Sequence, residues 1–243
     1  MSLPRFHSSI TLAVGSRVEL ASSAAHHAAN VLRMRVGDAL ILFDGRGGEY
    51  TATLESIDKK RVVVNVQSHL DIERESPLAV TLVQAVSSRD RMDVTLQKAV
   101  ELGVTRIVPV MSQRSVVRLS GERADQRVQH WQQVVISACE QCGRNQVPQV
   151  EALIPLATFL ERPSSGVVRW MLSPGAEHVL RSLQNPKTAV ELLVGPEGGL
   201  TAEEERAAGD AGFTSVRIGP RILRTETAAP ALLAAMQALW GDF

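Results

Sequence analysis

Hydrophobic positions change their rhythm once along this chain. In the first seventy residues they fall in short runs. Positions 39–43, 50–57 and 61–67 are rich in β-branched and apolar residues and predict three short strands. Asp44-Gly45-Arg46-Gly47-Gly48 separates the first two, as a hairpin connection would. Residues 23–32 predict one short helix, and Gly37-Asp38 a turn into the next strand. Several short strands around one helix imply a small barrel or sandwich. Residues 71–77, Asp-Ile-Glu-Arg-Glu-Ser-Pro, are polar and end in proline, which sets a domain boundary between 1–72 and 73–243.

Beyond that boundary, apolar runs alternate with helical periods. Strands are expected at 78–86, 105–110, 167–172, 191–194 and 216–218. Helices are expected at 92–102, closed by Gly103, at 128–142, ending at Gly143, after Thr201, and at 227–239. Strands that alternate with helices predict an α/β fold whose mostly parallel sheet is covered by helices. No internal repeat or low-complexity tract interrupts the pattern.

Composition narrows the classes. Hydrophobic residues make up 44% of the 243, enough to build cores, which removes disorder as a reading. Two cysteines exclude a disulfide framework and fit a reducing cytoplasm. No apolar run is long enough to span a bilayer, and residues 1–10 lack the apolar region of a signal peptide. A formal net charge of zero argues against a generic nucleic-acid binder. The distribution is uneven, with 8 Lys/Arg against 7 Asp/Glu in 1–72, 10 against 8 in 73–150 and 8 against 11 in 151–243. Within 89–118, Arg89, Arg91, Lys98, Arg106, Arg114 and Arg118 oppose only Asp90, Asp93 and Glu101. Such a stretch suits phosphate neutralisation, although a solvated face is the commoner meaning.

Two segments carry candidate chemistry. Leu193-Val194-Gly195-Pro196-Glu197-Gly198-Gly199-Leu200-Thr201-Ala202-Glu203-Glu204 runs from a strand through a glycine-rich turn into a helix. Thr201 and Glu204 have capping-box spacing. Ligands of open α/β sheets bind beyond the carboxyl ends of strands, and glycines let the backbone approach them closely. The segment is neither a Gly-x-Gly-x-x-Gly fingerprint nor a phosphate loop with Gly-Lys-Ser/Thr, so nicotinamide and ATP readings fall away. The second segment, Ile218-Gly219-Pro220-Arg221-Ile222-Leu223-Arg224-Thr225-Glu226-Thr227-Ala228, again sets a Gly-Pro turn after a strand. It is long for a plain connection, and two such loops in one half point to one composite site.

Together the two loops resemble the signature of the SPOUT methyltransferases, and within them the RsmE-type small-subunit ribosomal RNA uridine-N3 methyltransferases. Further blocks agree in order and spacing: His26-His27 before Val31-Leu32-Arg33, then Phe43-Asp44-Gly45, then Gln97-Lys98-Ala99-Val100-Glu101-Leu102-Gly103-Val104. Gln113-Arg114-Ser115, Glu140-Gln141-Cys142-Gly143-Arg144 and Val147-Pro148 continue the match, so it covers nearly the whole chain. Cys142 replaces a usual small residue such as Ser, and Leu200 a common aromatic.

The resemblance implies a PUA-like RNA-binding barrel in 1–72 and a SPOUT domain with a C-terminal trefoil knot in 73–243. It also implies a homodimer, S-adenosyl-L-methionine as cofactor and 16S ribosomal RNA of the small subunit as substrate. No metal and no membrane are expected. By the same analogy Leu172, Gly195, Gly199, Ile218 and Leu223 cradle adenine and ribose through their backbone, with Thr227 and Ala228 close behind. Arg224 is the first candidate for stabilising a deprotonated uridine through its oxygens, and Arg144 the second. For Arg144, a phosphate contact or an intersubunit ion pair stands equally open. A carboxylate near a sulfonium is electrostatically sensible, which brings in Glu197 or Glu226, although Glu226 equally suits a helix N-terminus. RNA-binding candidates are Arg5, Arg33 and Arg35 in the first domain and Arg89, Arg91 and Arg114 in the second.

Other signals lead elsewhere. Cys139-Glu-Gln-Cys142 has redox or zinc spacing, but no second cysteine pair exists, and two buried small residues in a helix is the preferred reading. His26 and His27 point about 100° apart on a helix and cannot chelate together. Trp131, Trp170 and Trp240 are expected as core or interface anchors. Two rivals stand: a SPOUT enzyme acting on another rRNA or tRNA nucleotide, and a non-catalytic RNA-binding or assembly factor.

Overall fold

A computed structural model describes residues 3–58 and 61–243, with the Arg89 side chain outside the described set. The chain forms two compact units, one of residues 1–75 and 139–147, the other of 76–138 and 148–243.

The first unit is a five-stranded sheet. Its elements are β1 (Arg5–His7), β2 (Arg17–Glu19), α1 (Ser22–His26), β3 (Ala39–Phe43), β4 (Glu49–Asp58) and β5 (Arg61–Leu70). The strand order is β1-β3-β4-β5-β2, parallel between β1 and β3 and antiparallel elsewhere. Strict alternation sends Val62, Val64 and Val66 inward to meet Phe6, Val18, Leu40, Leu42 and Leu54. The β3–β4 hairpin turns where the sequence expects it, with Gly45, Gly47 and Gly48 all at positive φ.

The single helix expected over 23–32 is instead α1 followed by a π turn, His27–Val31. Arg33 closes that turn in the left-handed region, φ 53°, while Met34 N donates to Ala28 O. Segment 139–147 is held within this unit by polar contacts. Asn145 accepts from Arg5 Nη2 at 2.6 Å and donates to Ile72 O, Glu140 accepts from His7 N, and the Arg144 guanidinium pairs with Glu75.

The second unit holds β6 (Val80–Ala85), α2 (Arg89–Glu101), β7 (Arg106–Met111), α3 (Gly121–Cys142, whose last turn belongs to the first unit), β8 (Gln149–Val150) and β9 (Ile154–Pro155). There follow α4 (Leu156–Leu160), β10 (Val167–Leu172), β11 (His178–Val179), β12 (Ala189–Val194), α5 (Ala202–Asp210), β13 (Thr214–Arg217) and α6 (Thr225–Trp240). All described strand pairs are parallel, in the order β11-β13-β10-β12-β6-β7-β8, with β9 also on β7. Strands covered on both faces need continuous apolar runs, which Val80–Ala85 and Ala189–Val194 supply. Helix α6 packs on α2 and β12.

Helix α3 begins two turns before the expected 128, through residues whose polar side chains carry no apolar stripe. Trp131 and Trp170 are core residues, and Trp170 packs against the half-buried Trp240 with ring centroids 5.7 Å apart. Cys139 is buried whereas Cys142 is only half-buried, which corrects the expectation for the second. Burial pushes the Cys139 thiol up to about 12, so no reactive thiolate exists there at neutral pH. Among the described residues no helix is long and apolar enough to cross a membrane.

Candidate functional site

The neighbouring strands β13, β10 and β12 run parallel, so their carboxyl ends open on one side of the sheet. Three loops leave there, after Leu172, Val194 and Arg217, and enclose a cavity of about 370 Å³. That volume lies in the usual range for small-molecule sites.

The loop after β12 is shaped by its own sequence. Gly199 takes φ 68°, a conformation open to glycine at little cost, and its N–H closes a turn onto Pro196 O at 2.9 Å. A Cβ on Gly195 would stand 3.2 Å from Leu200 N and 3.3 Å from the Gly199 carbonyl carbon, so the loop folds too tightly to leave room for one. Thr201 then caps α5 with the expected capping box, its hydroxyl accepting from Glu204 N and its own N–H donating to Glu204 Oε2. Glu204 Oε1 also accepts from Gln113 N at 2.7 Å.

The two glycine loops are tied together at Thr225, the first residue of α6. Its hydroxyl donates to Gly195 O at 3.0 Å and receives Gln84 Nε2 at 3.4 Å. Gln84 is wholly buried on β6, beside Val194 of β12.

Of the expected cofactor residues, Leu172, Gly195, Gly199, Ile218, Leu223 and Ala228 line the cavity. Arg224, Glu197 and Arg91 line it too. Thr227 is exposed and outside the lining. Arg224 is exposed, and its guanidinium makes no hydrogen bond or ion pair among the described residues. Arg144 does not line the cavity; it is buried in the first unit in a two-pronged ion pair with Glu75. That geometry matches an internal structural pair.

Glu197 is set against the start of α2. Its Oε1 accepts from Ser88 N at 2.8 Å and lies 3.3 Å from Arg91 Nη1. Burial pushes this carboxyl up, but the Ser88 N–H and hydroxyl, its own N–H and the Arg91 guanidinium outweigh that and hold it below the ordinary carboxylate value. It is therefore ionised at neutral pH.

The other arginines divide. Arg5 is almost covered, bound to Glu49 and Asn145, so its cation serves the interior of the first unit. Arg33 and Arg35 are exposed. Arg114 Nη1 donates to Gly198 O at 3.0 Å and Leu200 O at 3.3 Å, bracing the glycine loop. Arg91 pairs with Glu197 and, at 3.7 Å, with Glu226. Arg89 has no described side chain.

Ser173, Glu205, Arg217 and Arg221 also line the cavity and were not expected. Glu205 lies 3.4 Å from Ser173 Oγ across two loops. In the sequence it is one of three acids at a helix start, where dipole complementation accounts for all of them. Among the described residues no three His, Cys, Asp or Glu side chains gather closely enough to hold a metal ion.

Comparison with known proteins fits this geometry. Residues 74–237 match the family described as RNA methyltransferase domain, and residues 20–67 the RNA methyltransferase PUA domain. The ribosomal RNA small subunit methyltransferase E of Bacillus subtilis is 36% identical over 214 residues, 84% of this chain and 82% of that protein. A crystal structure of the enzyme of that name from Neisseria gonorrhoeae, bound to S-adenosyl methionine, is 46% identical, with a TM-score of 0.92 over 100% of both chains. A putative methyltransferase from Legionella pneumophila, in complex with the same cofactor, is 38% identical with a TM-score of 0.95, again over 100% of both. With both family domains matched in order and whole-chain similarity on this scale, the chain belongs to the ribosomal RNA small subunit methyltransferase E family.

Proposed function

We propose that this chain is an S-adenosyl-L-methionine-dependent methyltransferase that modifies N3 of a uridine in 16S ribosomal RNA of the small subunit. The observation that carries the reading is the cavity closed by two glycine loops that Thr225 joins, at the carboxyl ends of three parallel strands. A pocket whose wall includes Gly195, Gly198, Gly199 and Gly219 suits a flat adenine, and an ionised Glu197 in its wall suits a cationic group. Bound there, S-adenosylmethionine supplies an electrophilic methyl group on a sulfonium. Leu172, Gly195, Gly199, Ile218, Leu223 and Ala228 hold the nucleoside, while the exposed Thr227 lies outside this lining. Arg224 carries an uncommitted guanidinium at the cavity rim. Aimed at a uridine oxygen, it stabilises the anion formed when N3 gives up its proton, which lowers the cost of that step.

Residues 1–72 act as a PUA-like RNA-binding domain and 73–243 as a SPOUT domain with a C-terminal trefoil knot. Exposed Arg33 and Arg35 are the leading RNA contacts of the first domain. The left-handed backbone of Arg33 is a costly conformation for a side chain of that size, as expected where function holds it. The enzyme works as a homodimer in the cytoplasm.

Incubating the chain with methyl-labelled S-adenosylmethionine and either small subunits or naked 16S rRNA tests the proposal. The expected product is 3-methyluridine at one 16S position, mapped by nuclease digestion and mass spectrometry. Label in transfer RNA, on another base, or nowhere refutes it.

A further inference from the structure

Arg91 stands between two carboxylates, 3.3 Å from Glu197 through Nη1 and 3.7 Å from Glu226 through Nε. Arg91 and Glu197 face the cavity, while Glu226 meets Arg91 from outside its lining. Two acids and one base leave the group with one formal negative charge. Glu197 Oε1 accepts from Ser88 N, whereas Glu197 Oε2 and Glu226 Oε2 are both buried and receive no hydrogen bond among the described residues, so one oxygen of each carboxylate is left without a donor. No other carboxylate in the cavity wall is held this way: Glu205 meets Ser173 from another loop.

We propose that the Arg91–Glu197–Glu226 group is a charge filter, which makes the cavity hold the sulfonium-bearing methyl donor more tightly than the neutral thioether left after transfer. The inference rests on the methyl-transfer reading above. Donor and product share their adenosine and amino-acid parts, so the backbone cradle treats them alike. They differ by one methyl and one positive charge. The net negative charge of this one group acts on that difference at its part of the wall, apart from Arg217, Arg221 and Arg224 elsewhere in the lining. Such a field is strong where protein excludes water and weak in bulk solvent. The filter favours loading, and it lets the spent molecule leave, because the attraction disappears with the charge.

Calorimetry on the full chain tests this with three probes: S-adenosylmethionine, S-adenosylhomocysteine, and sinefungin, which carries a protonated amine in place of the sulfonium. Glu197→Gln keeps the shape and the acceptor for Ser88 N–H. It is expected to weaken the two cationic probes about tenfold and the neutral one by less than about threefold. Glu226→Gln is expected to act in the same direction and less strongly. Arg91→Gln removes the only cation of the group and shifts the preference the other way, towards the charged probes. Equal losses for all three probes in Glu197→Gln, or an unchanged preference in every variant, overturns the filter. If the parent chain binds none of the three, the methyl-transfer reading itself fails, and the filter falls with it.

Discussion

Thr225 is the joint on which the two glycine loops depend, and replacing it with valine removes the joint while keeping its shape. Valine and threonine are close in helix propensity, so the start of α6 is little affected. The hydroxyl gives a 3.0 Å bond to Gly195 O and takes a 3.4 Å contact from Gln84 Nε2. Gln84 Nε2 keeps its other acceptor, Ala85 O at 3.0 Å, so the main loss falls on Gly195. A lost hydrogen bond costs about 1 kcal/mol net, rising towards about 3 kcal/mol if the acceptor stays buried and unpaired. For a domain of this size that corresponds to a fall in Tm of roughly 3–9 °C. Because Gly195 belongs to the cavity wall, affinity for S-adenosylmethionine falls as well, by roughly tenfold if about 1.4 kcal/mol of the loss is felt in binding. Thr225→Ser restores both. Differential scanning fluorimetry with and without cofactor, together with calorimetry, reads the two effects. A valine variant with parental melting and parental affinity shows that the loops do not need this bond, and the account of the site fails.

Three further outcomes follow from the geometry. Arg224→Ala is expected to lower methyl transfer by about a hundredfold or more, the range of a lost oxyanion donor, with folding and cofactor affinity kept; near-normal single-turnover rates would remove Arg224 from the chemistry. Arg114→Ala releases Gly198 and Leu200, so cofactor affinity drops about threefold to tenfold, the worth of a charge-assisted bond. If RNA affinity and its salt dependence change instead, Arg114 is a phosphate contact. Glu49→Ala leaves Arg5 nearly buried without its carboxylate and is expected to cost about 3 kcal/mol in the first unit, measured by urea unfolding. Burial raises the Glu49 carboxyl, but the Arg74 and Arg5 guanidiniums outweigh that and hold it below its ordinary 4.5. A depressed carboxyl stabilises the fold above its unfolded value and loses that contribution as pH falls through the folded one. The parent chain therefore weakens on acidification below about pH 4.5, and the Glu49→Ala variant less so.

Much of the second half was legible because its signals are local. The capping box at Thr201, the Gly-Pro turns and the buried runs of β6 and β12 each lie within a dozen residues, and each stands where the pattern puts it. Three kinds of feature were not legible. Strands β1 and β2 have three residues each, with one inward side chain, Phe6 or Val18, too short for any period to show. The first turns of α3 are polar all round, so helix formation there leaves no hydrophobic stripe to read. Contacts between distant positions, such as Ser88 with Glu197 or Ser173 with Glu205, arise from the strand order of the sheet and have no sequence spacing to betray them. Arg144 shows the same limit from the other side, since its neighbourhood in the sequence gives no hint of Glu75.

The first unit borrows Cys139–Val147 from far along the chain, and this fixes the order of events during synthesis. Domains ordinarily fold as they emerge, amino-terminal first. Here the early strands emerge without Glu140, Arg144 and Asn145, leaving the Arg5 and Glu75 side chains short of partners until Val147 has left the exit tunnel. A truncation ending at Glu75 would inherit that incomplete state permanently, so a stand-alone version of the unit needs the later peptide supplied, either grafted on through a linker or added in trans.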